Sequence, residues 1–210
     1  MGLSHWIVLG LIGLFVLVRV VAKLAPMPIP FFGWWILTNP LRQFVMPSSM
    51  QVRRLRLKPR DRALEVGSGP GYLTPEAAQV VGEDGLIVAL DLQMPLLCRL
   101  KRRLAQDAVQ NVVLVRADAC KLPFKPEVFD AAFIVGVLGE LPDKPAALAA
   151  LHHTLRAGGL LAIAELLPDP HYTLPSTVAR LCEDAGLLPD DRSGSFLWHT
   201  TRWRKPGDNA

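Results

Sequence analysis

The sequence predicts an α/β fold in which helices cover both sides of a parallel sheet. From residue 62 onward, short apolar runs alternate with segments of helical apolar spacing, which is typical of such a sheet. The first run ends in three glycines at alternate positions, Gly67, Gly69 and Gly71. Two later runs lead to the acids Asp91 and Asp118. Because parallel strands end at one edge of a sheet, we expect these turns and acids to meet there.

A hydrophobic segment precedes this alternation. Of the 210 residues, 50% are hydrophobic, and the mean hydropathy of +0.27 is high for a soluble domain. Met1–Val18 has no formally charged side chain. At about 1.5 Å per residue, the stretch from Leu3 to Ala22 reaches about 30 Å, the thickness of a hydrocarbon core. The pattern predicts a membrane-anchor helix over residues 1–24.

Two features favour a retained anchor over a cleaved signal peptide. No Lys or Arg precedes the apolar run, and Ala22 and Ala25 flank Lys23 instead of forming an Ala-x-Ala cleavage site. Since Arg19, Lys23 and Arg42 all follow the run, the positive-inside rule places the rest of the chain on the cytoplasmic side of a membrane. A single-pass helix and a helix that lies in the interface both remain open.

Residues 25–47 form a second segment, which is rich in proline and large aromatic side chains. Prolines cannot continue the anchor helix, whereas Trp and Phe favour the headgroup layer. The Trp34–Trp35 pair therefore indicates a segment along the membrane surface, with packing on the following domain as the alternative. Residues 48–62 are basic, which suits either anionic lipid heads or an ordinary solvated face.

The domain predicted over residues 48–210 begins with a short helix before the first strand. Strands are predicted near 62–66, 86–90, 112–116, 130–135 and 159–164, and helices near 72–82, 95–106, 144–155 and 174–185. The pair Gly158-Gly159 predicts a turn into the fifth strand. A polar turn and a β-rich stretch from Phe196 to Trp203 close the chain.

The glycine-rich turn predicts a ligand site. Glycines permit positive φ and let a ligand approach the backbone, and the helix that follows presents free N–H groups. The spacing is Glu-x-Gly-x-Gly-x-Gly from Glu65 to Gly71, whereas a Gly-x-Gly-x-x-Gly dinucleotide fingerprint would require glycine at Tyr72. Asp91 ends its strand where α/β sheets bind ligands, and its carboxylate can accept both hydroxyls of a ribose.

Further motifs follow in an order that a known family shares. They are Leu64-Glu65-Val66-Gly67-Ser68-Gly69-Pro70-Gly71, Ala89-Leu90-Asp91, Ala117-Asp118-Ala119 with Leu122-Pro123-Phe124, Phe129-Asp130-Ala131-Ala132-Phe133 and Leu155-Arg156-Ala157-Gly158-Gly159-Leu160-Leu161. The series resembles the class I S-adenosylmethionine-dependent methyltransferases over residues 59–165, most closely the branch of quinone-biosynthesis and small-molecule methylases. The resemblance implies a Rossmann-like, doubly wound, mostly parallel seven-stranded sheet with a closing antiparallel hairpin.

The resemblance also implies S-adenosylmethionine as the cofactor and assigns its binding residues. Glu65, Gly67, Gly69 and Gly71 would line the methionine part, Asp91 would bind the ribose hydroxyls, and Asp118, with Ala119, would face the adenine amine. The family's chemistry is an in-line displacement at a methyl group, so the protein must chiefly align the acceptor with that methyl group.

A phenol or amine acceptor must also lose a proton, which requires a base. Candidates follow the fourth and fifth strands: Glu140, Glu165 and His171, each of which could instead be a plain surface or sheet-edge group. Only residues 166–173 separate the fifth strand from the next helix, so no lid domain is encoded there. We therefore expect a lipophilic or membrane-dissolved acceptor.

Two other function classes remain. Tyr72 speaks against a nicotinamide-dependent oxidoreductase, but a catalytically silent, membrane-anchored S-adenosylmethionine-binding protein remains open, because no residue is indispensable for catalysis. The three cysteines lack metal-ligand spacing, and no nucleic-acid motif accompanies the net charge of +4. We therefore predict neither a metal nor a nucleic-acid partner, and a membrane lipid surface as the partner of the basic charge.

Overall fold

The predicted alternation of strands and helices is present in the computed structural model, which describes residues 5, 6, 10, 13, 47–167 and 169–207. The elements are α1 (Ser48–Leu55), β1 (Arg62–Val66), α2 (Thr74–Val81), β2 (Leu86–Asp91), α3 (Met94–Gln106), β3 (Val112–Arg116), β4 (Phe129–Val135), α4 (Lys144–Thr154), β5 (Leu155–Leu166), α5 (Pro175–Asp184), β6 (Leu188–Gly194) and β7 (Trp198–Arg204). A short 3-10 helix, Leu138–Glu140, lies between β4 and α4. The helix expected before the first strand is α1.

The strands form one seven-stranded sheet in the order β3-β2-β1-β4-β5-β7-β6. The first five strands in this order are parallel. β7 runs antiparallel to both of its neighbours, β5 and β6. The mostly parallel sheet and the closing antiparallel hairpin are therefore confirmed. The strand order reverses between β1 and β4, which opens a crevice at the carboxyl ends of these two strands.

β5 is longer than the sequence predicted. It covers Leu155–Leu166, whereas the expected strand began near residue 159. Gly158 has a φ of +73°, and the pairing register of β4 with β5 shifts between Phe129 and Ala131. The strand thus begins before the glycine pair and not after it. The pair lies at an irregularity within the ladder, and Leu155 pairs with Phe129 on its N-terminal side.

Apolar side chains fill both faces of the sheet. Ala63, Ile87 and Phe133 belong to a core shared with α1 and α2. Leu64 and Ile134 belong to a second core shared with α4 and α5. Neighbouring residues of one strand enter opposite cores because side chains alternate along a strand. Full burial of each large side chain contributes about 1.5–3 kcal/mol, so the two cores fix the strand ends that form the site.

α1 packs against the closing hairpin. Its buried face includes Val52 and Leu55. The Arg54 guanidinium lies 3.6 Å from the centre of the Trp198 ring at the start of β7. The buried Arg202 of β7 donates a hydrogen bond of 2.6 Å to the carbonyl oxygen of Arg54. β7 is therefore fastened to the helix that follows the proline- and aromatic-rich segment, residues 25–47.

The N-terminal predictions fall mostly outside the described residues. The anchor predicted over residues 1–24 is described only at positions 5, 6, 10 and 13, and the segment 25–47 only at its last residue. Within the described part of the chain, no helix is both long and apolar enough to cross a bilayer. The anchor and the interfacial segment stay predictions.

Candidate active site

A cavity of about 250 Å³ opens at the carboxyl ends of β1, β2 and β4. It lies at the reversal of strand order, where open α/β sheets bind ligands. The cavity is lined by all but one of the predicted cofactor-binding residues: Glu65, Gly67, Gly69, Asp91, Asp118 and Ala119. The remaining one, Gly71, lies outside the lining.

Two glycines of the turn serve different purposes. Gly69 has a φ of +55°, and a Cβ at this position would meet no atom within 4 Å. Its missing side chain therefore leaves open space at the cavity wall. Gly71 has a φ of +86°, and a Cβ there would overlap the side chain of Leu100 on α3. Gly71 thus lets α3 pack against the turn and shapes the site indirectly.

Asp91 is held rigidly at the end of β2. Its Oδ2 accepts the N–H of Gly69 at 2.8 Å, and its Oδ1 accepts the N–H of Gln93 at 2.8 Å. The side chain is buried, and burial raises its pKa, whereas the backbone N–H groups of Gln93, Gly69 and Leu92 lower it. A carboxylate offers about four acceptor positions, so capacity remains for the hydroxyl groups of a ligand.

Glu65 forms the buried floor of the cavity. Its Oε2 accepts a hydrogen bond of 2.6 Å from the hydroxyl of Thr74. Burial, together with a smaller effect of the Asp91 charge, raises the pKa of Glu65 to about 8, against the lowering effect of the Thr74 hydroxyl. Glu65 is therefore mostly protonated at neutral pH in the free chain. A cationic ligand group would favour its carboxylate form.

Ser68 gives independent evidence that this cavity accepts a polar ligand. Its hydroxyl oxygen is buried and has no hydrogen-bond partner among the described residues. Ser68 lies in the cavity lining, beside the open space at Gly69. A buried hydroxyl without a partner is costly, so a ligand with polar atoms at this position would satisfy it. The pocket thus fits a nucleoside with polar substituents.

The proposed bases occupy different positions relative to the cavity. Glu140 lines it and is mostly buried. His171 does not line the cavity. Its segment nevertheless contacts the 3-10 helix that carries Glu140, because a Cβ at Gly139 would overlap the carbonyl oxygen of His171. Asp169 lines the cavity beside them, and its Oδ1 accepts the N–H of His171 at 2.7 Å. The sequence analysis missed Asp169, although its place between two prolines after a strand is a usable signal.

Glu165 lies behind the cavity wall and not in it. Its Oε2 accepts the N–H of Thr173 at 3.0 Å. The carbonyl oxygen of the same Thr173 lies 3.0 Å from Nε2 of His199, which stands opposite Glu165 on β7. Glu165 and His199 therefore fix the segment after β5 from beneath. The catalytic roles of Glu140, Glu165 and His171 stay predictions.

We expect the free energy of unfolding to fall as the pH rises from 7 to about 8. Burial raises the pKa of both Glu65 and Glu165 to about 8, from an ordinary value of 4.5. The folded chain then keeps protons that the unfolded chain has released, and each group lowers the free energy by up to about 1.4 kcal/mol per pH unit. Urea unfolding at several pH values measures this slope.

The variant Glu165→Gln keeps an acceptor for the Thr173 N–H and should flatten that slope. Glu183→Gln, on the exposed side of α5, is the matched control and should leave it unchanged. An equally steep slope in Glu165→Gln and in the unchanged chain would contradict the burial of an ionisable Glu165.

Comparison with known proteins agrees with the methyltransferase resemblance seen in the sequence. Residues 63–159 match the family described as methyltransferase domain. The chain is 36% identical over 110 residues to the ubiquinone/menaquinone biosynthesis C-methyltransferase UbiE of Teredinibacter turnerae, covering 52% of this chain and 44% of that protein. It is 31% identical over 115 residues to the same enzyme of Coxiella burnetii, covering 54% of this chain and 46% of that one. The chain thus spans just under half the length of these relatives.

Solved structures show the same fold at lower identity. A SAM-dependent methyltransferase from Aquifex aeolicus superposes with a TM-score of 0.78 at 20% identity, covering 85% of this chain and 100% of that chain. The cyclase SpnF superposes with a TM-score of 0.69 at 16% identity, covering 76% of this chain and 80% of that chain. At these identities the likeness shows the fold alone. The second case illustrates that this fold serves more than one kind of reaction.

Proposed function

We propose that this chain, whose residues 63–159 match a methyltransferase domain, uses S-adenosylmethionine to methylate a lipophilic small molecule or lipid. The observation that carries the proposal is the cavity at the reversal of strand order, where Gly69, Asp91 and Asp118 meet. The acceptor class rests on separate arguments from the relatives, from the chain after β5 and from the N-terminal sequence.

The chain's own residues bind and orient the donor. When bound, S-adenosylmethionine supplies a methyl group on a positively charged sulfur. Asp91 would accept hydrogen bonds from the ribose hydroxyls, and the open backbone at Gly69 would admit the methionine part. Asp118, whose Oδ1 accepts the N–H of Cys120 at 2.9 Å, is fixed where it would face the adenine amine. The walls of the cavity bound the space in which donor and acceptor must be aligned.

Two carboxylates stand where an acceptor would enter. Glu140 and Asp169 line the side of the cavity formed by the loops after β4 and β5. A carboxylate within hydrogen-bond reach can take the proton from an acceptor hydroxyl or an acidic carbon. Glu165 lies behind this wall, and burial raises its pKa. Its side chain holds Thr173 in place by accepting the Thr173 N–H.

Three observations support a lipophilic acceptor. The similar proteins from Teredinibacter and Coxiella carry names that describe quinone methylation. The short connection from β5 to α5 contains no inserted lid. The apolar residues 1–24 would hold the domain at the cytoplasmic face of a membrane, where such acceptors dissolve. We therefore place quinone-like rings with apolar tails first among the acceptors to test.

The direct test is transfer of labelled methyl groups from S-adenosylmethionine onto a membrane lipid extract, followed by identification of the product by mass spectrometry. The proposal expects labelled apolar products that require the full chain. Labelling of polar acceptors only would overturn the acceptor class. Tight donor binding without transfer to any extract would favour the catalytically silent binding protein.

We expect the double variant Trp34→Ala, Trp35→Ala to keep its donor affinity and to lose initial rate on a lipophilic acceptor. The donor site lies wholly after residue 60, whereas this Trp pair favours the layer where the polar head of an amphiphile would sit. The measurement is initial rate against acceptor concentration in vesicles, with the donor saturating. Unchanged rates would remove the aromatic segment from the proposal.

A further inference from the structure

The tip of the closing hairpin exposes two large apolar side chains. The tip consists of residues 195–197, between β6 and β7. Phe196 is 64% exposed and Leu197 is 61% exposed. Leu174, at the start of α5, is also largely exposed. Isolated apolar residues on a surface are common, but neighbouring ones at the end of a hairpin call for an explanation.

The hairpin tip is fixed to the segment after β5. The hydroxyl of Tyr172 donates a hydrogen bond of 2.7 Å to the carbonyl oxygen of Phe196. The Tyr172 and Phe196 rings meet edge to face, with their centres 6.3 Å apart. The N–H of Leu167 donates to the carbonyl oxygen of Leu197 at 2.8 Å. The exposed side chains therefore project from a braced backbone.

The same bracing segment forms part of the cavity wall. Asp169 lines the cavity, and its carbonyl oxygen accepts the N–H of Tyr172 at 3.1 Å. One short segment therefore has Asp169 in the wall and Tyr172 against the hairpin tip. This segment connects the hairpin tip to the wall of the cavity on the side where the acceptor is proposed to enter.

Cations and the direction of the chain indicate what covers the hairpin tip. Arg53 and Arg192 are exposed on α1 and β6, and Arg54 lies over the ring of Trp198, the residue after the tip. The nearby Asp191 is bound by Arg56 and by the buried Arg202. α1 begins at Ser48, directly after the proline- and aromatic-rich segment of residues 25–47. Apolar tips flanked by cations are suited to an anionic bilayer surface.

We infer that the hairpin tip inserts Phe196 and Leu197 into the headgroup layer of an anionic membrane, so that the rim of the cavity faces the lipid. The inference rests on the proposed function, since it names the surface from which a lipophilic acceptor would enter. A bilayer in this position would cover the acceptor side of the cavity, so that no inserted lid domain is needed to enclose the acceptor.

The experiment uses the full chain, labelled at one cysteine with an environment-sensitive fluorophore. Cys98→Ser and Cys120→Ser remove the accessible thiols, and Cys182 is buried. Phe196→Cys then places the label at the tip. Leu188→Cys is the matched control, because Leu188 is equally an exposed leucine of the hairpin but lies at the opposite end of β6. Leu197→Cys provides a second tip position if Phe196→Cys disturbs folding.

With vesicles that contain phosphatidylglycerol, we expect the emission of the tip label to shift to the blue and to be quenched by spin-labelled lipid. The label at position 188 should show the same emission with vesicles as it does in water alone. A tip label that stays in water while the chain is bound to vesicles would overturn the inference. So would a tip label that is already shielded without vesicles, since the chain's own N-terminal segment or a second copy would then cover it.

Vesicles of phosphatidylcholine alone test the role of charge. We expect a smaller blue shift on them, and an equal shift would overturn the assignment to an anionic surface. None of these measurements uses methyl donor or acceptor. The tip can therefore fail to insert while methyl transfer to an apolar acceptor succeeds, and failure of the inference is distinct from failure of the proposed function.

Discussion

Replacing Asp91 with Ala is expected to weaken the binding of S-adenosylmethionine at least about tenfold. A hydrogen bond to a charged group contributes about 1.5–3 kcal/mol, and about 1.4 kcal/mol corresponds to a factor of ten. The variant also releases the N–H groups of Gly69 and Gln93, which the carboxylate now fixes. Calorimetric titration of the folded variant measures the loss.

Two variants control this experiment. Asp91→Asn keeps one oxygen acceptor and should lose less affinity than the Ala variant. Asp84→Ala removes an exposed carboxylate before the opposite end of β2, where it is paired with Arg60, and should bind the donor normally. If Asp91→Ala bound S-adenosylmethionine as tightly as Asp84→Ala, the ribose would lie elsewhere.

Replacing Gly139 with Ala is expected to slow methyl transfer about 100-fold while donor affinity stays nearly unchanged. The new Cβ would overlap the carbonyl oxygen of His171, so the segment after β5 would have to move away from the 3-10 helix. Misplacement of about 1 Å at a reacting pair can cost a factor of this size. The proposed donor contacts at Gly69 and Asp91 lie in the turn after β1 and at the end of β2, and they should persist. Single-turnover rates and donor titration separate the two effects.

Gly158→Ala is the matched control for loss of stability. Gly158 has a φ of +73°, and a Cβ there would meet no atom within 4 Å. The Ala variant should therefore lose about 1–2 kcal/mol of stability from backbone strain alone. It lies at the amino end of the sheet, away from the cavity, and should keep its turnover. Normal turnover in Gly139→Ala would show that the position of the segment after β5 does not matter for transfer.

Much of the donor side could be predicted because its information is local in sequence. Asp91 ends an apolar run, and a strand that ends in an acid at this edge predicts the observed position directly. The glycine turn from Gly67 to Gly71 was equally visible. Spacing alone could not distinguish the roles of two of these glycines. Gly69 leaves space at the cavity wall, whereas Gly71 lets the side chain of Leu100 approach.

The acceptor side was harder to predict because its contacts join distant parts of the chain. Glu165 was proposed as a base from its place at the end of a strand, but the structure turns it toward Thr173 and away from the cavity. Its neighbour His199 comes into position only through the antiparallel pairing of β5 with β7. No local sequence pattern predicts which residues of β5 and β7 pair. The sequence therefore did not show how the segment around Asp169 is held in place.

The position of β7 has a consequence for the synthesis of the chain. β7 leaves the ribosome after both β5 and β6, yet it lies between them in the sheet. Until it is added, β5 has an open edge and β6 has no partner in the sheet. An open edge readily pairs with other chains. The nascent domain therefore remains vulnerable to aggregation until β7 emerges, and a chain that stops short of residue 198 would leave that edge permanently open.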